Sequence, residues 1–244
     1  MNPFFFGDSA QQLFGIYHPS LTRSTRGVVI CHPWAREYLL AYPTLKLLAH
    51  RLSEAGWHVL RFDYFGTGDS AGDSRAGHAD HWVRDVQAAM EELEALADVR
   101  EFALVGMRLG AVMAARASRY RTVRQLVLWD PVTDGRSYLA EMGAMSPPAR
   151  HDDSDLLGAI LTHQLRTDME RITPASLGDP ASRTLILASD PDTAVEPLAA
   201  RLRSLGTDAS TMSVPDVPVW RTEWERGGKG LAVSAANYIT TWLS

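Results

Sequence analysis

The chain has 244 residues, of which 45% are hydrophobic and 22% charged, and its formal net charge is −5. This balance argues against a nucleic-acid-binding protein, which presents a basic face, and no apolar run reaches the roughly 20 residues that a membrane span needs. The start lacks the basic flank and apolar core of a signal peptide, and the single cysteine, Cys31, rules out an intrachain disulfide. We therefore expect a cytoplasmic globular protein.

The first half of the chain alternates apolar runs typical of strands with amphipathic stretches typical of helices. The predicted strands lie at residues 3–6, 12–17, 27–31 and 57–62, the first two forming a hairpin around a turn at 7–9. The predicted helices lie at residues 44–55 and 79–96, and a loop rich in Gly, Asp and Ser spans 63–77.

The second half continues this alternation, with one interruption. The predicted strands lie at residues 101–105, 123–129, 185–188 and 211–214, and the predicted helices at 109–119, 195–205 and 231–243. Strands alternating with helices imply a mainly parallel sheet with helices on both faces. Residues 133–182 break the rhythm with adjacent prolines and a charged run, which predicts a short lid-like insertion in a single domain of residues 1–244.

The turn at residues 106–110 is the most specific feature, because it connects a predicted strand directly to a predicted helix. In the G-x-S-x-G motif, this context presents a nucleophilic serine above the sheet. Here the central position is Arg108. A guanidinium stays protonated and has donors but no lone pair, so it cannot attack a carbonyl carbon. The turn therefore predicts the geometry of a hydrolase without covalent serine chemistry.

Four stretches, at residues 31–38, 60–72, 105–111 and 129–132, carry a resemblance to a known family. The chain resembles the α/β-hydrolase superfamily, and within it the serine-aminopeptidase-like hydrolases. It is most similar to the exosortase-associated or biosynthetic-cluster group, in which some members have Arg at the elbow. The resemblance implies an α/β-hydrolase fold, a mainly parallel sheet with helices on both faces, over nearly the whole chain.

This fold orders its catalytic triad along the chain as nucleophile, acid and histidine. All eight histidines of this chain precede residue 164, so the triad histidine is missing as well as the serine. The acid position falls on Asp190 or Asp192, just after the penultimate predicted strand. Trp220 and Trp224 lie where the histidine loop belongs. These rings either fill core space or form an apolar wall for a substrate.

The resemblance also implies that the oxyanion pocket persists, with the backbone amides of Leu109 and Trp34 as donors and Met107 beside them. Arg108 would enter this pocket at a helix N-terminus and bind a carboxylate, phosphate or enolate. The alternative is that Arg108 pairs with a local acid and plugs the site. Such an acid is Glu37, Asp130 or Asp192.

Three further residues are candidates for the site. His32 is either a general base near Arg108 or a group that holds the oxyanion loop through hydrogen bonds. Glu37 either caps the following helix or pairs with an arginine, with catalysis as a further role. Asp130 ends a strand on the sheet edge where ligands bind in open α/β folds, so it is a candidate for lining the pocket.

Three functional hypotheses follow, and none of them calls for a cofactor or a metal. The first is an unconventional small-molecule enzyme that acts on an acyl or carbonyl compound in specialised metabolism, with Arg108 in its pocket. The second is a catalytically inactive pseudohydrolase that serves as a binding or scaffold protein. The third is a hydrolase that uses a water activated by His32. The expected partners are a small-molecule or carrier-bound acyl substrate, and a partner enzyme or a second copy of the chain.

Overall fold

The computed structural model describes residues 1–120, 122–146, 155–178, 181, 183–190, 193, 195–221 and 230–244. Its main strands are β1 (Asn2–Phe6), β2 (Leu13–His18), β3 (Arg26–Cys31), β4 (His58–Phe62), β5 (Glu101–Met107), β6 (Gln125–Trp129), β9 (Arg183–Ala188) and β10 (Asp208–Ser213). A separate two-stranded hairpin consists of β7 (Asp155–Leu156) and β8 (Ala159–Ile160). The predicted strands are therefore present, with bounds shifted by a few residues.

The eight main strands form one sheet in the order β1-β2-β4-β3-β5-β6-β9-β10. β2 pairs antiparallel with β1 and β4. From β4 to β10 every neighbouring pair is parallel. The carboxyl ends of β3, β5 and β6 consequently lie side by side at one edge of the sheet, where open α/β folds bind ligands.

Helices cover both faces of the sheet, as the alternation predicts. They are α1 (Arg36–Glu54), α2 (Ala79–Ala97), α3 (Leu109–Ala117), α4 (Gly135–Met145), α5 (His163–Glu170), α6 (Val195–Ser204) and α7 (Val233–Leu243). The buried side chains of α1 and α7 form one apolar core with one face of the sheet. Those of α2 to α6 form a second core on the opposite face. The mainly parallel, doubly covered sheet is confirmed.

The predicted start of the first helix, at residue 44, is wrong. α1 begins at Arg36 and continues through Pro43, which lies inside it. Proline removes the hydrogen bond to the carbonyl of the residue four positions earlier, here Leu39. Leu39 is 75% exposed, so water can satisfy that carbonyl on the outer side of the helix. A proline on the solvent side is therefore compatible with a continuous helix.

The interruption between β6 and β9 contains α4, the β7–β8 hairpin, α5 and a short 3₁₀ helix at Pro174–Leu177. Leu139 and Met142 of α4, and Leu165 of α5, contribute to the second core. The charged run at residues 151–154 lies outside the described residues. That residues 133–182 act as a lid within a single domain stays a prediction.

Candidate active site

The elbow after β5 keeps a strained backbone with arginine as its central residue. Arg108 has φ 54° and ψ −121°, and its N–H donates to the carbonyl of Trp129 at 2.9 Å. A side chain at Gly106 would collide with the carbonyl oxygen of Gly110, and one at Gly110 would collide with that of Cys31. A positive φ at a non-glycine residue costs roughly 1–3 kcal/mol, and such residues cluster at functional sites. The elbow therefore projects residue 108 over the sheet edge.

Two carboxylates hold the Arg108 guanidinium. Its Nε donates to Oε1 of Glu37 at 2.9 Å, and its Nη2 donates to Oε2 of Glu141 at 2.6 Å. Its Cζ lies 3.7 Å from the centroid of the Trp220 ring. The residue is only 7% exposed. This arrangement matches one of the two interpretations of Arg108, in which it pairs with an internal acid. Glu37 was among the acids that the sequence indicated, and Glu141 was not.

Glu37, near the start of α1, is the most deeply buried acid of this network. Its Oε2 accepts a hydrogen bond from the Tyr138 hydroxyl at 2.8 Å. Burial raises the pKa of the Glu37 carboxyl, against the opposing effect of Arg108. Burial also disfavours the charged form of Arg108, but Glu37, Tyr138 and Glu141 outweigh it and raise the pKa of Arg108. The guanidinium is thus permanently charged and internally neutralised.

Trp220 stands between Arg108 and Asp130. Its ring lies under the guanidinium, and its Nε1–H donates to Oδ2 of Asp130 at 3.0 Å. Asp130 has φ 42° and is fully buried. It also accepts from the backbone N–H of Ser189 at 2.8 Å and from the hydroxyl of Ser189. Asp130 therefore positions Trp220 from below and is not part of the cleft wall.

A cleft of about 260 Å³ opens above this network. Its floor includes Arg108, and one wall is built by Arg221, whose Nη2 lies 2.8 Å from Oδ2 of Asp190 and 3.3 Å from Oε1 of Glu141. The remaining lining residues are Pro131, Val132, Thr133, Asp134, Ser137, Tyr138 and Thr193. The cleft is thus lined by hydroxyl groups and by both signs of charge.

The predicted oxyanion donors lie on either side of a close contact between α3 and the loop after β3. Leu109 is the first residue of α3, so its N–H precedes the first bond within the helix. Gly110 packs against the carbonyl groups of Cys31 and His32. Trp34, in the same loop, is 5% exposed and belongs to the second core. That these amides bind an oxyanion stays a prediction.

His32 is enclosed by aromatic rings. Its ring centroid lies 3.8 Å from that of Tyr38 and 4.4 Å from that of Tyr64. Its Nδ1 donates to the carbonyl of Pro33 at 2.6 Å, so Nε2 carries the lone pair. That Nε2 is buried and has no hydrogen-bond partner among the described residues. Burial lowers the pKa of His32 to about 4, although Asp63 opposes the shift.

The structure thus brings Arg108, Glu37 and Trp220 together and leaves other predicted site residues elsewhere. Met107 is fully buried in the first core and is not among the lining residues of the cleft. Asp192 and Trp224 lie outside the described residues, so the choice between Asp190 and Asp192 stays open.

Sequence reasoning missed three residues of the site: Tyr138, Glu141 and Arg221. Glu141 and Tyr138 lie three residues apart on α4, so both reach the same side of that helix. No motif marks them, because α4 belongs to the irregular segment after β6. Arg221 directly follows Trp220, and its proximity to a tryptophan in the histidine loop was the one available signal.

The chain belongs to the serine aminopeptidase, S33, family, which matches residues 23–191. Est1E from Butyrivibrio proteoclasticus, solved with ferulic acid bound, is similar at a TM-score of 0.71 and 14% identity, covering 98% of this chain and 97% of that one. Mouse alpha/beta hydrolase domain-containing protein 10 is similar at a TM-score of 0.61 and 18% identity, with both chains covered completely. XC6422 from Xanthomonas campestris, described as a serine hydrolase without lid, has a TM-score of 0.61 and 18% identity, covering 90% and 86%.

These likenesses confirm the α/β-hydrolase fold and membership of that superfamily. No curated protein matches the sequence. Across the described ranges, every helix is too short or too polar to cross a membrane. The narrower resemblance, to the exosortase-associated or biosynthetic-cluster group with Arg at the elbow, stays a prediction.

Proposed function

We propose that this hydrolase-like protein binds an acyl or carbonyl compound, free or attached to a carrier, without forming a covalent intermediate. The observation that carries the proposal is the fixed state of Arg108 at the elbow. Its guanidinium is held by Glu37 and Glu141 and lies on the Trp220 ring. The cleft above it supplies hydroxyl groups and charges for recognition.

Three connected residues at this edge of the sheet support the proposal, because they do not supply the groups that a covalent mechanism needs. Arg108 has no lone pair to attack with. The indole N–H of Trp220 is a donor only, so it cannot take a proton from a nucleophile. Asp130, which the Trp220 N–H contacts, already accepts hydrogen bonds from Ser189. A nucleophile and a general base, which acyl transfer through a serine requires, are both lacking at these positions.

A second candidate is an unconventional enzyme without a covalent step, on the same cleft. The observation in its favour is that carboxylates of Glu141 and Asp190 line the cleft beside Arg108. An acid there could move a proton while Arg108 holds an anionic group and the amides of Leu109 and Trp34 stabilise an oxyanion. A water activated by His32 has less support, because His32 is enclosed by rings and its pKa is lowered to about 4.

Steady-state and burst kinetics with p-nitrophenyl acetate, combined with a ligand screen by thermal shift, test the proposal. We expect no burst and no turnover above a heat-inactivated control. We expect compounds that stabilise the native protein to lose this effect in Ser137→Trp, which fills the cleft. Ser204→Trp, on the exposed end of α6, is the matched control and should keep the effect. A stoichiometric burst, or stabilisation unaffected by Ser137→Trp, contradicts the proposal.

The partner enzyme and the homo-oligomer expected from the sequence stay predictions. They are compatible with a binding protein, which can present a held compound to another chain. Specialised metabolism as the setting also stays a prediction.

A further inference from the structure

The carboxylate of Glu141 lies between two arginines as a bound carboxylate ligand would. Its Oε2 meets Nη2 of Arg108 at 2.6 Å, and its Oε1 meets Nη2 of Arg221 at 3.3 Å. Each carboxylate oxygen therefore faces a different guanidinium. Charge-assisted bonds of this kind are about twice as strong as those between neutral groups.

Glu141 is also the least buried acid of the network. Its side chain is 28% exposed, against 1% for Glu37 and 5% for Asp190. Glu37 is fixed further by the Tyr138 hydroxyl. Glu141 comes from α4, in the segment that interrupts the regular alternation, and it lines the cleft directly. Of the three acids, it is the one that solvent and ligands reach.

The balance of charge around Glu141 determines which kind of ligand could take the place of its carboxylate. Arg108 and Arg221 face Glu37, Asp190 and Glu141. When Glu141 leaves, two arginines and two carboxylates remain. Nη2 of Arg108 faces the vacated position, and Nη2 of Arg221 lies beside it while it keeps its closer contact with Asp190. One negative charge restores the native balance. A dianion would add a further charge beside two fixed carboxylates, which like-charge repulsion disfavours.

We infer that Glu141 is an internal occupant of a monocarboxylate-binding site, and that the carboxylate of a ligand exchanges with it at Arg108 and Arg221. This inference rests on the proposed function, because it uses the same cleft. The ligand is a small organic acid or the carboxylate end of a larger acyl compound, whose apolar part contacts Pro131 and Val132. Exchange breaks the contact between Glu141 and the elbow, while Tyr138 of α4 keeps its hydrogen bond to Glu37.

Isothermal titration with sodium benzoate and with the neutral benzamide tests the inference. We expect Glu141→Gln to bind benzoate at least tenfold more tightly than the native protein, since the internal competitor has lost its charge. Benzamide affinity should not change. Glu196→Gln removes an exposed ion-paired carboxylate on α6 and should behave as the native protein does. In Glu141→Gln/Arg221→Gln the gain for benzoate should disappear.

Equal benzoate affinities in the native protein and in Glu141→Gln overturn the inference, as does an equal gain for inorganic phosphate. Hydrogen exchange of the native protein provides a second measurement that needs no variant. Saturating benzoate should speed exchange in the turn of α4 around Glu141, and unchanged or slower exchange there contradicts loss of the Glu141 contact. If the inference fails in this way, neutral ligands whose stabilising effect is lost in Ser137→Trp would still support the proposed function. A burst with p-nitrophenyl acetate would contradict the proposed function alone.

Discussion

At the scale of single residues, Arg108 and Glu37 depend on each other. The guanidinium and the carboxylate are both buried, and their direct hydrogen bond is 2.9 Å long. Taking two charges out of water costs several kcal/mol per ion, which only close pairing and further hydrogen bonds offset. Removal of Arg108 leaves Glu37 desolvated without its cation, so that the carboxylate either stays charged and unpaired or takes up a proton.

Arg108→Met should therefore lower the free energy of unfolding by about 3–5 kcal/mol. Arg108→Met/Glu37→Gln should regain most of that loss, because no unpaired buried charge remains. Arg116→Met breaks an exposed pair with Asp80 and should cost about 1 kcal/mol or less. Urea unfolding measures all three variants. If Arg108→Met costs no more than the Arg116 control, the pair is not the structural element that its burial indicates.

His32 should stay neutral down to about pH 4, because burial disfavours the imidazolium. Its pKa in the unfolded chain is about 6.5, so the unfolded state binds more protons between these values. Above pH 6.5 His32 is neutral in both states and does not reduce the free energy of unfolding. As the pH falls from 6.5 towards 4, only the unfolded state takes up the proton, so the free energy of unfolding decreases. The full decrease is about 3 kcal/mol. His32→Asn keeps a donor for the Pro33 carbonyl and should remove this dependence.

An NMR titration of the His32 ring, with unfolding at several pH values for both proteins, makes the measurement. His18, whose pKa burial also lowers to about 4, is present in both proteins and cancels in the difference. A His32 pKa near 6.5, or a difference in stability between the two proteins that does not vary with pH, would refute this account. It would also restore His32 as a base at neutral pH.

Single residues differ in how far the sequence could predict them. Arg108 was identified because its strand–turn–helix context is local and specific, and Glu37 because it lies close to the oxyanion loop. Glu141 was not, because its role depends on how α4 packs over the elbow, and no local pattern encodes that packing. Asp130 was placed at the correct edge of the sheet, but its bond to Trp220 depends on a contact across 90 residues.

At the scale of elements, the elbow requires α3 to lie directly against the loop after β3. Gly110 makes this approach possible, since a side chain there would collide with the carbonyl oxygens of Cys31 and His32. These are backbone atoms, and they cannot move without shifting the end of β3. The elbow and the predicted oxyanion loop are therefore fixed to each other.

Gly110→Ala should cost about 3 kcal/mol of stability, as over-packing against rigid backbone does. Gly143→Ala is the matched control, because Gly143 lies inside α4 and, apart from the neighbouring backbone of that helix, no atom of the described residues lies within 4 Å of the added carbon. That substitution should stabilise the protein by about 0.5–1 kcal/mol. Thermal and urea unfolding compare the two. A Gly110→Ala variant as stable as the native protein would show that the loop after β3 yields easily.

Elements with a regular period were predicted well from the sequence. The strands of the parallel sheet read as short apolar runs, because both of their faces are buried. The start of α1 was predicted too late, because α1 continues through Pro43. A proline breaks a helix less readily where water can reach the carbonyl that loses its hydrogen bond, here that of Leu39. The segment between β6 and β9 gave no period, so α4 and its contribution to the cleft could not be derived.

At the scale of the whole molecule, the chain has the α/β-hydrolase fold, and the edge of its sheet carries a connected network of an arginine, a tryptophan and an aspartate. Arg108 lies at the elbow, Trp220 contacts it, and the Trp220 N–H meets Asp130. In the order of the chain, these residues come from the loops after β5, β6 and β10. We interpret Arg108 and Trp220 as occupying the positions of nucleophile and histidine in the hydrolase fold, while the acid position, on Asp190 or Asp192, stays open.

Arg108→Ser alone should not hydrolyse activated esters, because Trp220, the described residue beside the elbow in the histidine segment, cannot take the proton of the new hydroxyl. Arg108→Ser/Trp220→His places an imidazole beside Asp130, where the indole N–H now lies 3.0 Å from Oδ2. That pair should give slow but measurable acylation, which p-nitrophenyl acetate burst kinetics detects. Full activity from Arg108→Ser alone would mean that another base already faces the elbow.

The most direct measurement is the intact mass of the native protein after exposure to an excess of a fluorophosphonate, which modifies activated serines. The absence of a nucleophile at the elbow predicts an unmodified mass under conditions that fully label an ordinary serine hydrolase. Stoichiometric addition of one phosphonyl group to a serine would contradict the claim that this protein acts without a covalent intermediate.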